Sequence, residues 1–161
     1  MIAFLQYDKK YQEKTFEFIY KTMSEELIVD KETLNKITKD LEDIEKNYIE
    51  KNGNMWLAIN EETNEIIGTI ALTEIEKGVA ELRRFYVKKE YRSRKIGYSL
   101  YTILKKQAVE KGFTEIYLVS GKELKKAHEF YQRNGWKIVS NSKEKINIYI
   151  RDNAYLYKKV V

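Results

Sequence analysis

The chain has 161 residues, 43% of them apolar and 34% charged, with thirty basic side chains against twenty-five acidic ones and a formal charge of +5. That length suits one domain able to bury roughly two-thirds of its unfolded surface, and the interspersed signs exclude a disordered or fibrous chain. No cysteine is present, which excludes disulfides, thiolate metal sites and a catalytic thiol together.

Residues 1–7 alternate weakly and predict an opening strand. They carry no basic leader followed by an apolar stretch, and no run of about eighteen apolar residues occurs anywhere, so a cytoplasmic location is the default expectation. Tyr11, Thr15, Phe18, Ile19 and Met23 recur at helical spacing. Leu34, Ile37, Leu41, Ile44 and Tyr48 repeat that spacing up to the Asn52-Gly53 pair, so two amphipathic helices are expected. The period then shortens. Residues 55–59 and 66–72 are short β-forming runs around a polar turn, a hairpin, and 79–87 follows the Lys77-Gly78 turn as a third antiparallel strand.

Ile96, Leu100, Ile103, Leu104 and Ala108 mark a helix ended by Lys111 and Gly112, and 116–119 supplies the strand that completes a β-α-β unit. Leu124, Ala127, Phe130 and Tyr131 share one side of a further helix closed by Gly135. Two extended stretches, 136–139 and 146–156, end the chain. This order predicts an α+β fold with a central strand-loop-helix crossover.

Arg83, Arg84, Lys88, Lys89, Arg92, Arg94 and Lys95 crowd into residues 83–95, opposed only by Glu90. The resulting local positive potential suits a phosphate-bearing partner. No helix-turn-helix, zinc-finger or RNA-binding signature accompanies it, so a small phosphate ligand is preferred to nucleic acid. The stretch enters a helix beginning near Lys95, whose first-turn N–H groups are free to bind a diphosphate.

The segment ELRRFYVKKEYRSRKIGYSLYTIL resembles the acetyl-CoA-binding motif of the GNAT acetyltransferases: Arg or Gln, two residues, Gly, one residue, then Gly or Ala. Arg92, Ser93, Arg94, Lys95, Ile96 and Gly97 fill those places, with Lys95 standing where the family usually has its first glycine. Such a lysine keeps its side chain aside or offers its ammonium to a phosphate. KAHEFYQRNGW resembles the family's second signature through Ala127, Phe130, Tyr131, Gly135 and Trp136, with Leu124 where an asparagine is often found. The resemblance covers nearly the full chain, most firmly 80–136 and only loosely the N-terminal part.

The resemblance implies one N-acetyltransferase domain over 1–161, with a mixed, mostly antiparallel sheet flanked by helices and splayed between the strand ending at Val87 and the one ending at Val119. Acetyl-CoA is the implied co-substrate and an amine the acceptor, with the acceptor floor drawn from the N-terminal helices and C-terminal strands. No metal, nucleic-acid or membrane partner is implied, and a homodimer is allowed. Backbone groups of Phe85, Tyr86 and Val87 would meet the pantetheine arm, and residues Arg92, Ser93, Arg94, Lys95, Ile96, Gly97 and Tyr98 the pyrophosphate. Without cysteine, acyl transfer is direct or uses an oxygen nucleophile.

Tyr131 is the expected acid at the departing sulfur, against the alternative of a core tyrosine. Glu81 is the expected base, against a partner for Arg83 or Arg84. His128, the sole histidine, is a third candidate base, against a packing role on its helix. Lys105-Lys106 and Lys125-Lys126 read as solvated faces, Lys125 or Lys126 within reach of a nucleotide phosphate. A non-catalytic acyl-CoA-binding regulatory module of the same fold is the alternative to an enzyme.

Overall fold

The computed structural model describes residues 1–161. In chain order its main elements are β1 (Ile2–Gln6), α1 (Gln12–Glu26), α2 (Lys31–Ile37), β2 (Asn54–Asn60), β3 (Glu65–Glu76), β4 (Val79–Val87) and α3 (Ile96–Glu110). β5 (Glu115–Gly121), α4 (Lys125–Arg133), β6 (Lys137–Val139), α5 (Asn141–Glu144) and β7 (Ala154–Val160) complete it. The seven strands follow the order β1-β2-β3-β4-β5-β7-β6. No helix is long and apolar enough to cross a membrane. The chain divides into two compact units, Met1–Thr73 with Arg83–Lys106, and Glu74–Leu82 with Gln107–Val161.

In the first unit β2 pairs antiparallel with β1 and with β3. Its inner residues Met55, Leu57 and Ile59 meet Ile19 and Met23 of α1, Leu34 of α2, and Leu41, Ile44 and Tyr48 in one apolar cluster. The buried positions Thr15, Ile19 and Met23 of α1 lie four residues apart, one stripe of a helix. Gly68 brings α3 close: a Cβ there would lie 3.0 Å from Leu100 Cδ1 and 3.3 Å from the Tyr86 carbonyl oxygen.

The second expected helix is broken. After α2 the chain passes through a 3₁₀ stretch, Lys39–Asp43, and a π turn, Glu45–Ile49. Side chains capture the backbone groups that a continuous helix would use internally. Arg84 Nη2 donates to the Ile37 carbonyl at 2.6 Å. Gln12 Nε2 donates to the Leu41 carbonyl at 2.7 Å, while its Oε1 accepts from the Ile44 N–H at 3.0 Å. Of the expected apolar stripe, Leu34, Leu41, Ile44 and Tyr48 are buried and Ile37 is exposed, and these polar contacts hold the backbone where the helix stops.

In the second unit β4 and β5 form a parallel ladder, Val79 with Glu115, Ala80 with Ile116 and Glu81 with Tyr117. β5 pairs antiparallel with β7, and β7 with β6. The last expected strand starts late, at Ala154 instead of 146. Left-handed residues Lys145 (φ 55°) and Asn153 (φ 61°) turn the chain on either side of 146–152. Ile146, Ile148 and Ile150 nevertheless pack with Val79, Tyr117 and Leu156. Their alternation records burial against this cluster without a sheet ladder.

Candidate functional site

β4 ends where the Lys88 N–H donates to the Ile67 carbonyl at 2.7 Å. A short 3₁₀ turn, Lys89–Tyr91, follows, and the Arg94 N–H donates back to the Tyr91 carbonyl at 3.2 Å. The Arg92 side chain folds over this turn, donating from Nε to the Val87 carbonyl at 2.9 Å and pairing through Nη2 with Glu26 at the end of α1. The Arg94 guanidinium lies 4.9 Å over the Tyr91 ring. Ser93, Arg94 and Lys95 are exposed.

Lys95 has φ 58°, in the left-handed region, so the place that a glycine would fill does carry the conformation glycine favours. The first helical bond of α3 runs from the Ser99 N–H to the Lys95 carbonyl at 3.0 Å. The amides of Ile96, Gly97 and Tyr98 therefore form the first turn, which finds no acceptor inside its own helix and carries partial positive charge. Gly97 faces the Phe85 ring and the Val87 methyl, at 3.5 and 3.6 Å from where its Cβ would stand. The structure thus gathers Phe85, Val87 and the loop 92–98 in one place. Lys95→Gly should relieve the left-handed strain, raising stability by about 0.5–1 kcal/mol in chemical denaturation.

Upstream in the same unit, β4 contains a second left-handed residue, Arg84, with φ 53°. Its nearly buried guanidinium reaches Asp40 Oδ1 at 2.6 Å, Asp40 Oδ2 and Tyr48 Oη at 3.3 Å each, and the Met23 sulfur at 3.2 Å. Tyr48 donates its hydroxyl to Asp40. Arg83 comes within 3.7 Å of the same carboxylate and lies 5.6 Å over the Tyr48 ring. Burial works against the Asp40 charge, but the Arg84 guanidinium, the Tyr48 hydroxyl and Arg83 outweigh it and hold the carboxyl below the ordinary aspartate range. Burial pushes the Tyr48 phenol up, so it remains a donor.

Glu81 and Tyr131 lie in the second unit. Glu81 is half-buried, opposite Tyr117 in the parallel ladder. Tyr131 is 7% exposed, among the rings of Phe130, Trp136 and Tyr157 at centroid distances of 5.7, 5.9 and 5.4 Å. His128 has both ring nitrogens engaged: Nε2 donates to the Gly121 carbonyl at 2.9 Å, and Nδ1 meets the Tyr157 hydroxyl. A carbonyl only accepts, so the proton sits on Nε2 and Nδ1 accepts from Tyr157. This is the packing role weighed for His128, and it leaves the neutral ring no lone pair for a substrate. Lys105, Lys106, Lys125 and Lys126 are all exposed.

A cavity of about 660 Å³ runs along α1, its apolar part lined by Phe18, Ile66 and Val87, with Glu26 and Arg92 at its wall. Glu26, Asp40 and Tyr48 were not legible as site residues. The only signal was the pair Arg83-Arg84 inside an apolar strand run, which demands a buried counter-charge without saying which of the twenty-five acidic residues provides it.

Residues 16–136 match the model of the Acetyltransferase (GNAT) family. Among known proteins the chain is similar to N-acetyltransferase family 8 member 2 of Rattus norvegicus, with 28% identity over 103 residues, 61% of this chain and 45% of that protein. The match thus spans less than half of that relative's length. Among solved structures it is similar to a GNAT-family acetyltransferase from Staphylococcus aureus Mu50, with 28% identity, 99% of each chain covered and a TM-score of 0.84. It is also similar to an acetyltransferase from Streptococcus agalactiae 2603, with 22% identity, 99% of this chain and 98% of that one covered and a TM-score of 0.86. For the PaiA N-acetyltransferase of Thermoplasma acidophilum, in complex with coenzyme A, the figures are 23%, 100% and 99%, and 0.76. The last two likenesses speak to fold alone.

Proposed function

The chain belongs to the acetyltransferase (GNAT) family, and from that membership we propose that it transfers an acetyl group from acetyl-CoA directly to a primary amine of a small molecule, peptide or protein. The observation that carries the reading is the cationic loop that turns through left-handed Lys95 into the bare first turn of α3. A diphosphate seated there gains backbone hydrogen bonds and the helix dipole together. Phe85, Tyr86 and Val87 offer their backbone to the pantetheine arm, and the loop from Arg92 to Tyr98 holds the pyrophosphate. The whole chain, 1–161, acts as one acetyltransferase domain, a reading supported by fold matches that cover 99% or more of it.

An alkyl amine with a pKa of about 10.4 is unprotonated in roughly one molecule in 2,500 at pH 7, a deficit of about 4.6 kcal/mol. Glu81, directly or through water, takes the amine proton. The nitrogen then attacks the thioester carbonyl, the C–S bond breaks as the oxyanion collapses, Tyr131 gives its phenolic proton to the departing thiolate, and the surplus proton of the acylated nitrogen restores the phenol and leaves a neutral amide. With no cysteine in the chain, no acyl-thiol enzyme intermediate precedes this step. Glu81→Gln should abolish the acidic limb of the pH–rate profile, since only an ionised base accepts the proton; an unaltered profile returns Glu81 to a structural role.

Because Arg92 is held by Glu26, a phosphate must compete with that carboxylate for the guanidinium. The pair is about half exposed and worth at most about 1 kcal/mol, so Glu26→Gln should tighten CoA binding by roughly threefold in calorimetry. Release of free CoA thiol from acetyl-CoA across a panel of amines tests the function itself. Acceptor-dependent thiol is expected, whereas tight binding without it would identify a non-catalytic acyl-CoA-binding module.

A further inference from the structure

We propose that Asp40 is a positioning residue for acyl transfer: through Arg84 it fixes the left-handed step in β4 that sets the backbone of Phe85, Tyr86 and Val87 along the pantetheine arm. The inference rests on reading those three residues as the arm's contacts. A non-glycine residue in the left-handed region inside a strand persists only when its surroundings over-determine it. At Arg84 they do so from several directions. The guanidinium is held by Met23 of α1, by the Ile37 carbonyl at the end of α2, and by Asp40 and Tyr48 beyond it. The Arg84 carbonyl is held from β3, where Thr69 Oγ1 donates to it at 2.8 Å.

Asp40 is the carboxylate of this network and serves both arginines. Without its charge the Arg84 side chain keeps only neutral acceptors, and the backbone at 84 is free to return toward extended φ. That return would rotate the peptide between residues 84 and 85 and re-aim the chain that follows. The broken second helix thereby acquires a purpose: its 3₁₀ stretch carries Asp40 to the strand that lines the acyl donor.

The experiment compares two probes by calorimetry: CoA, which has the arm, and adenosine 3′-phosphate 5′-diphosphate, which has the phosphates alone. Asp40→Asn should weaken CoA on the order of tenfold and leave the nucleotide within about twofold. Equal weakening of both probes, or of neither, overturns the proposal. Arg84→Gly, which accepts the positive φ and buries no charge, provides a second background if Asp40→Asn alone does not fold. There Asp40→Asn should have no further effect on CoA, and the same loss in both backgrounds would overturn the proposal. A wild-type protein that binds neither probe would remove the acyl-CoA reading itself, whereas binding of both with no arm-specific loss removes only the role of Asp40.

Discussion

Tyr131→Phe should lower the turnover of acetyl transfer by about a hundredfold while leaving CoA affinity within about twofold. A phenol in water has a pKa of about 10 and a thiol one of about 8.5, so a phenol holds a proton at neutral pH that it can deliver as a C–S bond breaks. Phenylalanine retains the ring that packs against Phe130, Trp136 and Tyr157, so the fold loses only a hydroxyl, a change of about 1 kcal/mol. Steady-state kinetics and calorimetry on the same preparation separate the two effects. Unchanged turnover would take Tyr131 out of the mechanism and leave it as a core tyrosine.

Asp40→Ala should destabilise the fold by about 3 kcal/mol and lower Tm by roughly 10 °C. The Arg84 side chain is 7% exposed and that of Asp40 21%, so removing the carboxylate strands a guanidinium that water reaches poorly. Burial alone would lower the arginine's proton affinity, but Tyr48, Tyr86 and Asp40 outweigh it and keep the charge in place. Removing Arg84 as well, as Arg84→Gly, should recover part of the loss, the signature of a coupled pair. The pH dependence has a definite sign. The folded Asp40 carboxyl titrates below its unfolded value of about 3.9, so its stabilisation is complete above that pH and is lost as pH falls through the lower folded value. The wild type should therefore lose stability on acidification in that window by more than Asp40→Ala does. Parallel acid-unfolding curves would contradict the assignment.

Strand and helix identities were legible where mainly apolar side chains occupy the buried positions, as in β2, α1 and α3. Where polar side chains decide the backbone, periodicity misleads. Leu34, Leu41, Ile44 and Tyr48 are buried as a helical stripe should be, yet Gln12 and Arg84 hold backbone groups of the helix that they would mark. Ile146, Ile148 and Ile150 alternate like a strand because they fill a core, not because a ladder receives them. The cationic loop and the helix start that follows it were legible because their signals are local, a run of basic residues leading into an apolar helical stripe. The partners of Arg84 and Arg92 were not, since Asp40 and Glu26 lie far away in sequence and only the fold brings them near.

Titrating the folded protein with CoA in a calorimeter tests most directly whether the first turn of α3 holds a coenzyme diphosphate. Saturable binding of one equivalent is expected, weakened by added salt as the cationic loop is screened. A folded protein that takes up no CoA at any accessible concentration would contradict it.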